Sequence, residues 1–502
     1  MPAELETATH PENLRRVVIE PVSRVEGHGK VTLLLDAEGR VHQVRLHIVE
    51  FRGFEKFIQG RPYWEVPVLV QRLCGICPVS HHLAASKALD LIVGAKRISP
   101  TAEKMRRLMH LGQILQSHAL HFFHLASPDL LFGFDAEAAK RNIVHVAAVA
   151  PDVARKGVLL RKYGQEIIRH TAGKRVHGTG SVPGGVNKNL NRAERAELLG
   201  DIDTVIEWSR QAVALVKKLF AENAKLYASF GRFESNLLSL VRADGALDLY
   251  HGGLRASDAA GTKIFDHADY QRYYELIHEE VKPWSYMKFP FLVEKGTVAG
   301  WYRVGPLARL AHCDFVPTEL AEAERREFKA FGGGAALSAP LGYHWARMIE
   351  MLHAAEGIRE LLLDNDLSGA DLVVRGERQL RGVGVIEAPR GTLIHHYRVN
   401  EDDQIVSANL IVSTTHNNQA MNEAVRQVAR QYLDGRTLTE GLLNHIEVAI
   451  RAFDPCLSCA THALGKMPLE AELVDAEGNV IDRLCRPGCG PRAAADRSPR
   501  SG

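Results

Sequence analysis

The sequence predicts an α+β fold that is mainly α: a large central helical bundle with smaller β-rich regions, and an active site buried between cysteine motifs from the two ends of the chain. Three observations predict it. Apolar residues recur at intervals of three and four after Pro100 and in six further long segments. Short alternating runs bounded by turn residues stand before and after those helices. Two Cys-x-x-Cys pairs, each trailed by a histidine, lie near opposite ends: Cys74, Cys77 and His81, then Cys456, Cys459 and His462. If the four thiols serve one site, the first quarter of the chain must meet its far end.

The elements follow in order. After a polar lead, Arg16 to Glu20, Lys30 to Asp36 and Val41 to Phe51 read as a meander within residues 15–60, with Ala37-Glu38-Gly39 as a turn. The charged cluster Arg24-Val25-Glu26-Gly27-His28 interrupts it. Cys74 and Cys77 precede Pro78 and an apolar run from His82 to Val93, which puts the thiols at a helix N-terminus, where the macrodipole favours thiolate. From Pro100 to about Ala126, Met105, Leu108, Leu111 and Leu115 mark one helical face, and Pro100 suits its first turn. His118, His121 and His124 follow at helical spacing with no carboxylate beside them, so they read as packing and hydrogen-bonding groups.

Further helices are expected at Asp152 to His170, Arg192 to Tyr227, Pro317 to Phe331, His344 to Leu363, Asn418 to Tyr432 and Thr439 to Phe453. Residues 100–365 thus read as the helical core. Ser181 to Lys188 and Phe331 to Gly334 are Gly-rich connections without the Gly-Lys-Ser/Thr ending of a phosphate cradle. Val383 to Glu387, Thr392 to Val399 and Ile405 to Ser413 form a second strand group, opening the 380–462 region that ends in the second metal motif. There Asp454-Pro455 breaks a helix and holds Cys456 and Cys459 on a tight loop.

Composition narrows the function. A 502-residue chain with 46% apolar and 24% charged residues is ordinary globular protein. A net charge of +2 and the lack of an arginine stripe argue against nucleic acid. There is no apolar run of transmembrane length, and the first residues carry neither a basic n-region nor an apolar h-region, so a cytoplasmic location is expected. Seven cysteines are too sparse and odd in number for a secreted disulfide framework. Zinc ribbons place their two knuckles about 15 to 20 residues apart, far closer than here. Four cysteines could saturate one tetrahedral zinc or be shared between two soft metals with two thiolates bridging. The polar residues Glu26, Glu55, Arg72, Arg390 and Asp454 favour a site that also moves protons.

Arg72-Leu73-Cys74-Gly75-Ile76-Cys77 running to His81, with Asp454-Pro455-Cys456-Leu457-Ser458-Cys459-Ala460-Thr461-His462, resembles the paired signature of the nickel-iron hydrogenase large subunit. The likeness spans nearly the whole chain and includes Arg24 to His28, Phe51 to Glu55, Ala388 to Gly391 and Thr414 to Asn418. It implies that Cys74 and Cys456 are terminal nickel ligands, that Cys77 and Cys459 bridge nickel to iron, and that the iron carries CN and CO. It further implies that Arg390, after Pro389, overhangs the diatomics, and that Glu26 relays the proton of Cys456. His81 would bond a bridging sulfur. Glu55 and His462 would hold a third cation, magnesium. Ser117 stands where many membrane-linked relatives carry an aspartate, as in cytosolic relatives.

Val49 to Phe57, Trp284 to Pro290 and His395-His396-Tyr397 are similar to the bidirectional, NAD-linked branch. That likeness implies an iron-sulfur small subunit plus diaphorase subunits carrying FMN and binding NAD, since this chain has no dinucleotide fingerprint or spare cysteine cluster. It also implies nickel-insertion proteins and a maturation endopeptidase that cuts after His462, making 1–462 the large-subunit domain and 463–502 a propeptide. In that tail a hairpin is expected at Ala471 to Leu484, and Cys485 and Cys489 read as incidental. Alternative readings are a cytosolic hydrogenase with another acceptor (NADP, a deazaflavin or dyes), an H2 sensor, or a metal-free complex I-like coupling subunit.

Overall fold

Ser99 and Pro100 start the helix on which the bundle is built: Ala102 N–H donates to Ser99 Oγ at 3.1 Å, and Pro100 sits where no N–H is required. The computed structural model describes residues 14–331, 338–461, 470–474 and 480–485. Pro100–Leu120 is α-helical, and His121–Ala126 continues it as a π-helical turn. Pro128 lacks the N–H that an α-helical bond to the His124 carbonyl needs, and Ser127 Oγ donates to Phe123 O at 2.7 Å. The histidines at 118 and 121 are buried there and hydrogen-bond to Glu350 and to the Arg451 carbonyl.

Gly342–Leu363 is buried along nearly its whole length and packs against Pro100–Leu120, Arg192–Glu222 and Glu319–Ala330. That all-round burial matches its lack of a polar face. The expected helix from Arg192 to Tyr227 is divided: a capping box of Asn191 and Glu194 starts Arg192–Glu222, and Ala224–Ser229 follows as a separate helix. Asn223 causes the break. Its backbone leaves helical geometry (φ −122°, ψ 28°) and its side chain takes the Leu219 carbonyl at 3.0 Å.

The region read as the helical core, 100–365, also holds sheet. Tyr302–Arg303 pairs parallel with Asn236–Val241, which pairs antiparallel with Gly253–Ser257 and then Lys263–Ala268. Ile277–Glu280 and Phe289–Leu292 make a two-stranded ribbon, and Ser181–Val182 with Gly185–Val186 turns the expected connection into another. The predicted sheets are present as Arg15–Ile19, Gly29–Leu35 and Val41–Ile48, and as Arg381–Ala388, Gly391–Val399 and Ile405–Ile411. The last strand stops two residues early because Ser413–His416 turns helical. Glu470–Val474 pairs antiparallel with Val480–Cys485, the hairpin expected in the tail. His462 and Cys489 lie outside the described residues.

Two close approaches bring the functional segments together. A Cβ on Gly384 would stand 2.3 Å from Ala84 O, so glycine lets the Arg381–Ala388 strand lie directly on the helix Pro78–Ile92 that follows Cys77. The second joins Pro100–Leu120 to Pro151–Ala172, where a Cβ on Gly164 would meet Gly112 O at 2.6 Å and Gln116 Cβ at 2.8 Å. Gly164→Ala gains about 1 kcal/mol of helix propensity but forces two backbones apart, which costs up to about 3 kcal/mol. The variant is expected to be less stable by about 2 kcal/mol, read as a lowered midpoint in denaturant titration; an unchanged midpoint would show that the helices separate freely.

Candidate metal centre

Each cysteine pair is held by a sharp change of backbone direction. Val70–Leu73 ends in a 3-10 turn, Cys74 is extended, and Cys77 is the N-cap of Pro78–Ile92. Cys74 Sγ accepts the N–H groups of Ile76 and Cys77, both at 3.2 Å. At the other end Glu440–Ala452 stops, Asp454 takes a left-handed conformation (φ 54°) ahead of Pro455, and Cys456 N–H donates to Thr414 Oγ1 at 3.0 Å.

The four sulfurs converge. Cys74 Sγ lies 3.2 Å from Cys456 Sγ, Cys77 Sγ lies 3.8 Å from Cys459 Sγ, and all four fall within 4.8 Å of one another. They are free thiols at distances far beyond the roughly 2.05 Å of a disulfide. All are buried, in a small apolar cluster with Val79, Met109, Ile386 and Leu393. Burial pushes thiols up, but hydrogen bonds from Cys456, Cys459 and Cys77, aided by the Arg390 charge, hold Cys74 well below the ordinary thiol range. Burial keeps Cys456 and Cys459 raised. A soft cation among the sulfurs would favour thiolate at every position.

Arg390 sits on the turn between Arg381–Ala388 and Gly391–Val399. Its Nε donates to Asp454 O at 2.5 Å and its Nη2 to Asp454 Oδ1 at 3.0 Å. Its Nη1 is buried and donates to nothing among the described residues, and the same is true of Ser80 Oγ. Cys77, Ser80, His81, Pro389, Arg390 and Cys456 line a small cavity beside the sulfurs. Two unused donors at a sulfur-lined cavity fit a metal whose own small ligands bring acceptor atoms. The donor set therefore fits both the soft metals and the diatomics implied by the sequence.

Glu26 closes the other side. Its Oε2 lies 2.9 Å from Cys456 Sγ and accepts Ser458 N–H at 3.2 Å, while Ser458 Oγ bonds Oε1. Its carbonyl accepts Leu457 N–H at 2.9 Å. Burial, then the Cys74 charge, raises the Glu26 carboxyl above its usual range. Burial likewise raises Asp454 against the pull of Arg390 and Arg347.

His81 lines the cavity, but its hydrogen-bonded neighbour is His395, with Nδ1 3.2 Å from His395 Nε2. Burial lowers His81 to about 4, so the ring is neutral. His395 in turn meets Tyr397 Oη at 2.5 Å. Glu55 stands apart from the sulfurs: its Oε1 accepts Leu410 N–H at 2.8 Å and lies 3.9 Å from Lys288 Nζ. Lys288 is shared with Glu279 at 2.9 Å, and Glu279 Oε1 is buried without a donor among the described residues. Thr461 O accepts the N–H groups of Arg52 and Gly53, bringing the chain just before His462 to the loop that carries Glu55.

Sequence reasoning missed the support beneath Arg390. Arg309 is fully buried; it binds both Glu350 oxygens at 2.6 Å, Glu387 at 2.8 Å and the Ala388 carbonyl at 3.0 Å. It therefore fixes the backbone two residues before Arg390. No spacing signal links these residues, which come from three distant segments. Arg72, singled out by the sequence, lies at the surface, where its Nη1 is 2.7 Å from His177 Nδ1 and His177 Nε2 reaches Cys74 O at 3.0 Å.

Comparison with known proteins agrees with this geometry. The family model described as nickel-dependent hydrogenase matches residues 52–156 and 249–462, and a model described as HoxL-like matches residues 16–51. The chain is 48% identical over 487 residues to the NAD-reducing hydrogenase HoxS subunit beta of Cupriavidus necator, covering 94% of this chain and 100% of that one. It is 42% identical to a subunit of the F420-non-reducing hydrogenase of Methanothermobacter thermautotrophicus, covering 93% and 100%. A solved NAD+-reducing nickel-iron hydrogenase in the H2-reduced state superposes with a TM-score of 0.88 at 62% identity, covering 89% of this chain and 99% of that one. The four buried sulfurs, joined from opposite ends of a mainly helical fold, thus belong to a chain of the nickel-dependent hydrogenase family, as its catalytic large subunit.

Proposed function

We propose that this chain catalyses the reversible heterolytic cleavage of H2 in a complex that passes the electrons to NAD. The observation that carries the reading is the Glu26 carboxylate 2.9 Å from the sulfur of a four-cysteine cluster, with the unused Arg390 Nη1 donor across the cavity. Structural zinc would need neither. A nickel-iron pair, when bound, supplies a two-electron centre at which H2 can be polarised into hydride and proton.

The residues have separate roles in this reading. Cys74 and Cys456 would hold nickel, and Cys77 and Cys459 would serve both nickel and iron. Arg390 Nη1 and Ser80 Oγ would donate to the diatomic ligands, CN and CO, and Arg390 places fixed positive charge over the cavity. Asp454 holds that guanidinium in place through its carbonyl and carboxylate. Glu26 takes the proton at Cys456 Sγ, because its raised carboxyl lies nearer the thiol in proton affinity than a solvated glutamate would. His81, neutral and tied to His395, fills the cavity wall without adding charge. Glu55 and His462 take magnesium; the unused Glu279 Oε1 near Glu55 supports a cation there.

Electrons leave beside Cys74, where the Arg72–His177 pair lies at the surface. An iron-sulfur small subunit docks there and feeds diaphorase subunits carrying FMN and binding NAD. Two relatives carry NAD-reducing in their names, which favours NAD over NADP, a deazaflavin or dyes as acceptor. Nickel-insertion proteins and an endopeptidase acting after His462 complete the centre. Among the described residues no helix is long and apolar enough to cross a membrane.

H2-dependent reduction of NAD+ by the assembled complex, with NADP+ and dyes compared, tests the acceptor; metal analysis that found zinc alone would overturn the whole reading. Cys456→Ser is expected to abolish H2 oxidation and deplete nickel, because serine oxygen does not replace a soft thiolate; nickel content and H2 uptake are measured together. Glu26→Gln should keep both metals yet lower H–D exchange by about 100-fold or more, the usual worth of a positioned proton acceptor. Full exchange in that variant would remove Glu26 from the proton route.

A further inference from the structure

Nine arginines are buried among the described residues. Seven have a carboxylate within salt-bridge distance: Arg106, Arg141, Arg255, Arg309, Arg325, Arg390 and Arg451. Of the other two, Arg347 lies in the field of Asp454. Arg303 has no such neighbour. It is 3% exposed, and its Nε donates to Ser235 Oγ at 2.7 Å and its Nη1 to Ser338 O at 3.2 Å. The guanidinium lies 4.8 Å over the Phe233 ring, and Nη2 makes no hydrogen bond among the described residues. Burying a guanidinium without an anion is costly. Burial correspondingly lowers its pKa, with no carboxylate to oppose the shift. The stretch 332–337 preceding Ser338 reads Gly-Gly-Gly-Ala-Ala-Leu and offers no counter-charge.

Arg303 faces a cavity of about 570 Å³, within the range of small-molecule sites. Arg232 and Lys329 also line it, and neither has a carboxylate partner among the described residues. Arg255 and Lys263 line it too and share the single Asp266 carboxylate. Three carboxylates line it as well. Asp258 accepts the N–H groups of Ala260 and Thr262 within its own turn, Asp314 packs against Gly245, and Glu234 is exposed. Arg303, Arg232 and Lys329, none with a carboxylate at ion-pair distance among the described residues, therefore converge on one cavity in the four-stranded sheet whose charged groups sum to a positive excess, outside the cysteine cluster and its lining.

We propose that this cavity is a binding site for a phosphate-bearing small molecule, with Arg303 as its buried anchor and Arg232 and Lys329 at its mouth. A phosphate dianion matches three unpaired cations better than a single carboxylate, and the guanidinium fork suits two of its oxygens. The site does not depend on the hydrogenase reading.

Isothermal titration of the assembled complex with pyrophosphate, ADP and citrate, at fixed ionic strength, tests it. Saturable binding of pyrophosphate or ADP is expected, with Arg303→Met weakening it about tenfold or more. ADP binding tighter than pyrophosphate would identify a nucleotide; equal affinity would identify recognition of phosphate alone. Lys329→Ala and Arg232→Ala, at the mouth, should each weaken binding severalfold, and they decide the matter if Arg303→Met fails to fold. Lys140→Ala, whose side chain is exposed and pairs with Glu137, should change nothing. Absence of binding to the complex, preference for citrate, or indifference to all three cavity substitutions would overturn the proposal.

Discussion

Leu457 N–H on the Glu26 carbonyl, and the Glu26 carboxylate against Cys456 and Ser458, join segments 430 residues apart. Everything at the centre follows from this closure. Closing a loop of that length costs on the order of 5 kcal/mol in chain entropy, more than a few hydrogen bonds return at about 1 kcal/mol each. The helical core must therefore bring the ends near first, and the hydrogen bonds then set register. Metal coordination, on the order of 10 kcal/mol in other thiolate sites, is large enough to lock the arrangement. The bonds from Arg52 and Gly53 to Thr461 O extend the same seam to the last described residue before the tail.

The second constraint is charge held without water. Arg309 between Glu350 and Glu387, and Arg390 against Asp454, are buried ion pairs whose desolvation offsets much of their attraction. Their value is positional. Arg309 holds the Ala388 carbonyl and so the turn that aims Arg390; removing it would leave two carboxylates stranded as well as loosening that turn. Packing of Gly384 on Ala84 works to the same end, since it sets the height of the Arg390 turn above the cysteine helix. A buried cavity with fixed donors is the environment in which a guanidinium exerts most field.

Much of this was legible in the sequence, for reasons of scale. Long amphipathic helices announce themselves through periodicity, and the Cys-x-x-Cys motifs through local chemistry; Asp454 adjoins the second motif, while Glu26 and Arg390 lie in short distinctive runs of their own. What was hidden depends on distant partners. The strands Asn236–Val241 and Gly253–Ser257 are five or six residues long and largely buried, so alternation is weak and the segment passes for helical core. Asn223 ends a helix through one side-chain bond that no pattern marks. Glu350 was invisible as the partner of His118 because it arrives from another helix, and His395 was equally invisible beside His81.

Cys74 and Cys456 face different neighbours, and on the proposed reading the physics of proton and electron transfer gives that difference a use. A proton moves only across a hydrogen bond, so its acceptor must touch the sulfur: Glu26 does so at Cys456, from inside the protein. An electron tunnels over much longer distances and needs only proximity to the surface, which Cys74 has through the His177 contact to its carbonyl and the exposed Arg72. Placing both exits on one cysteine would put a charged relay in the face that a docked partner must cover. On that reading, splitting them between the two ends of the chain lets the closure that builds the centre also keep protons and electrons on separate routes.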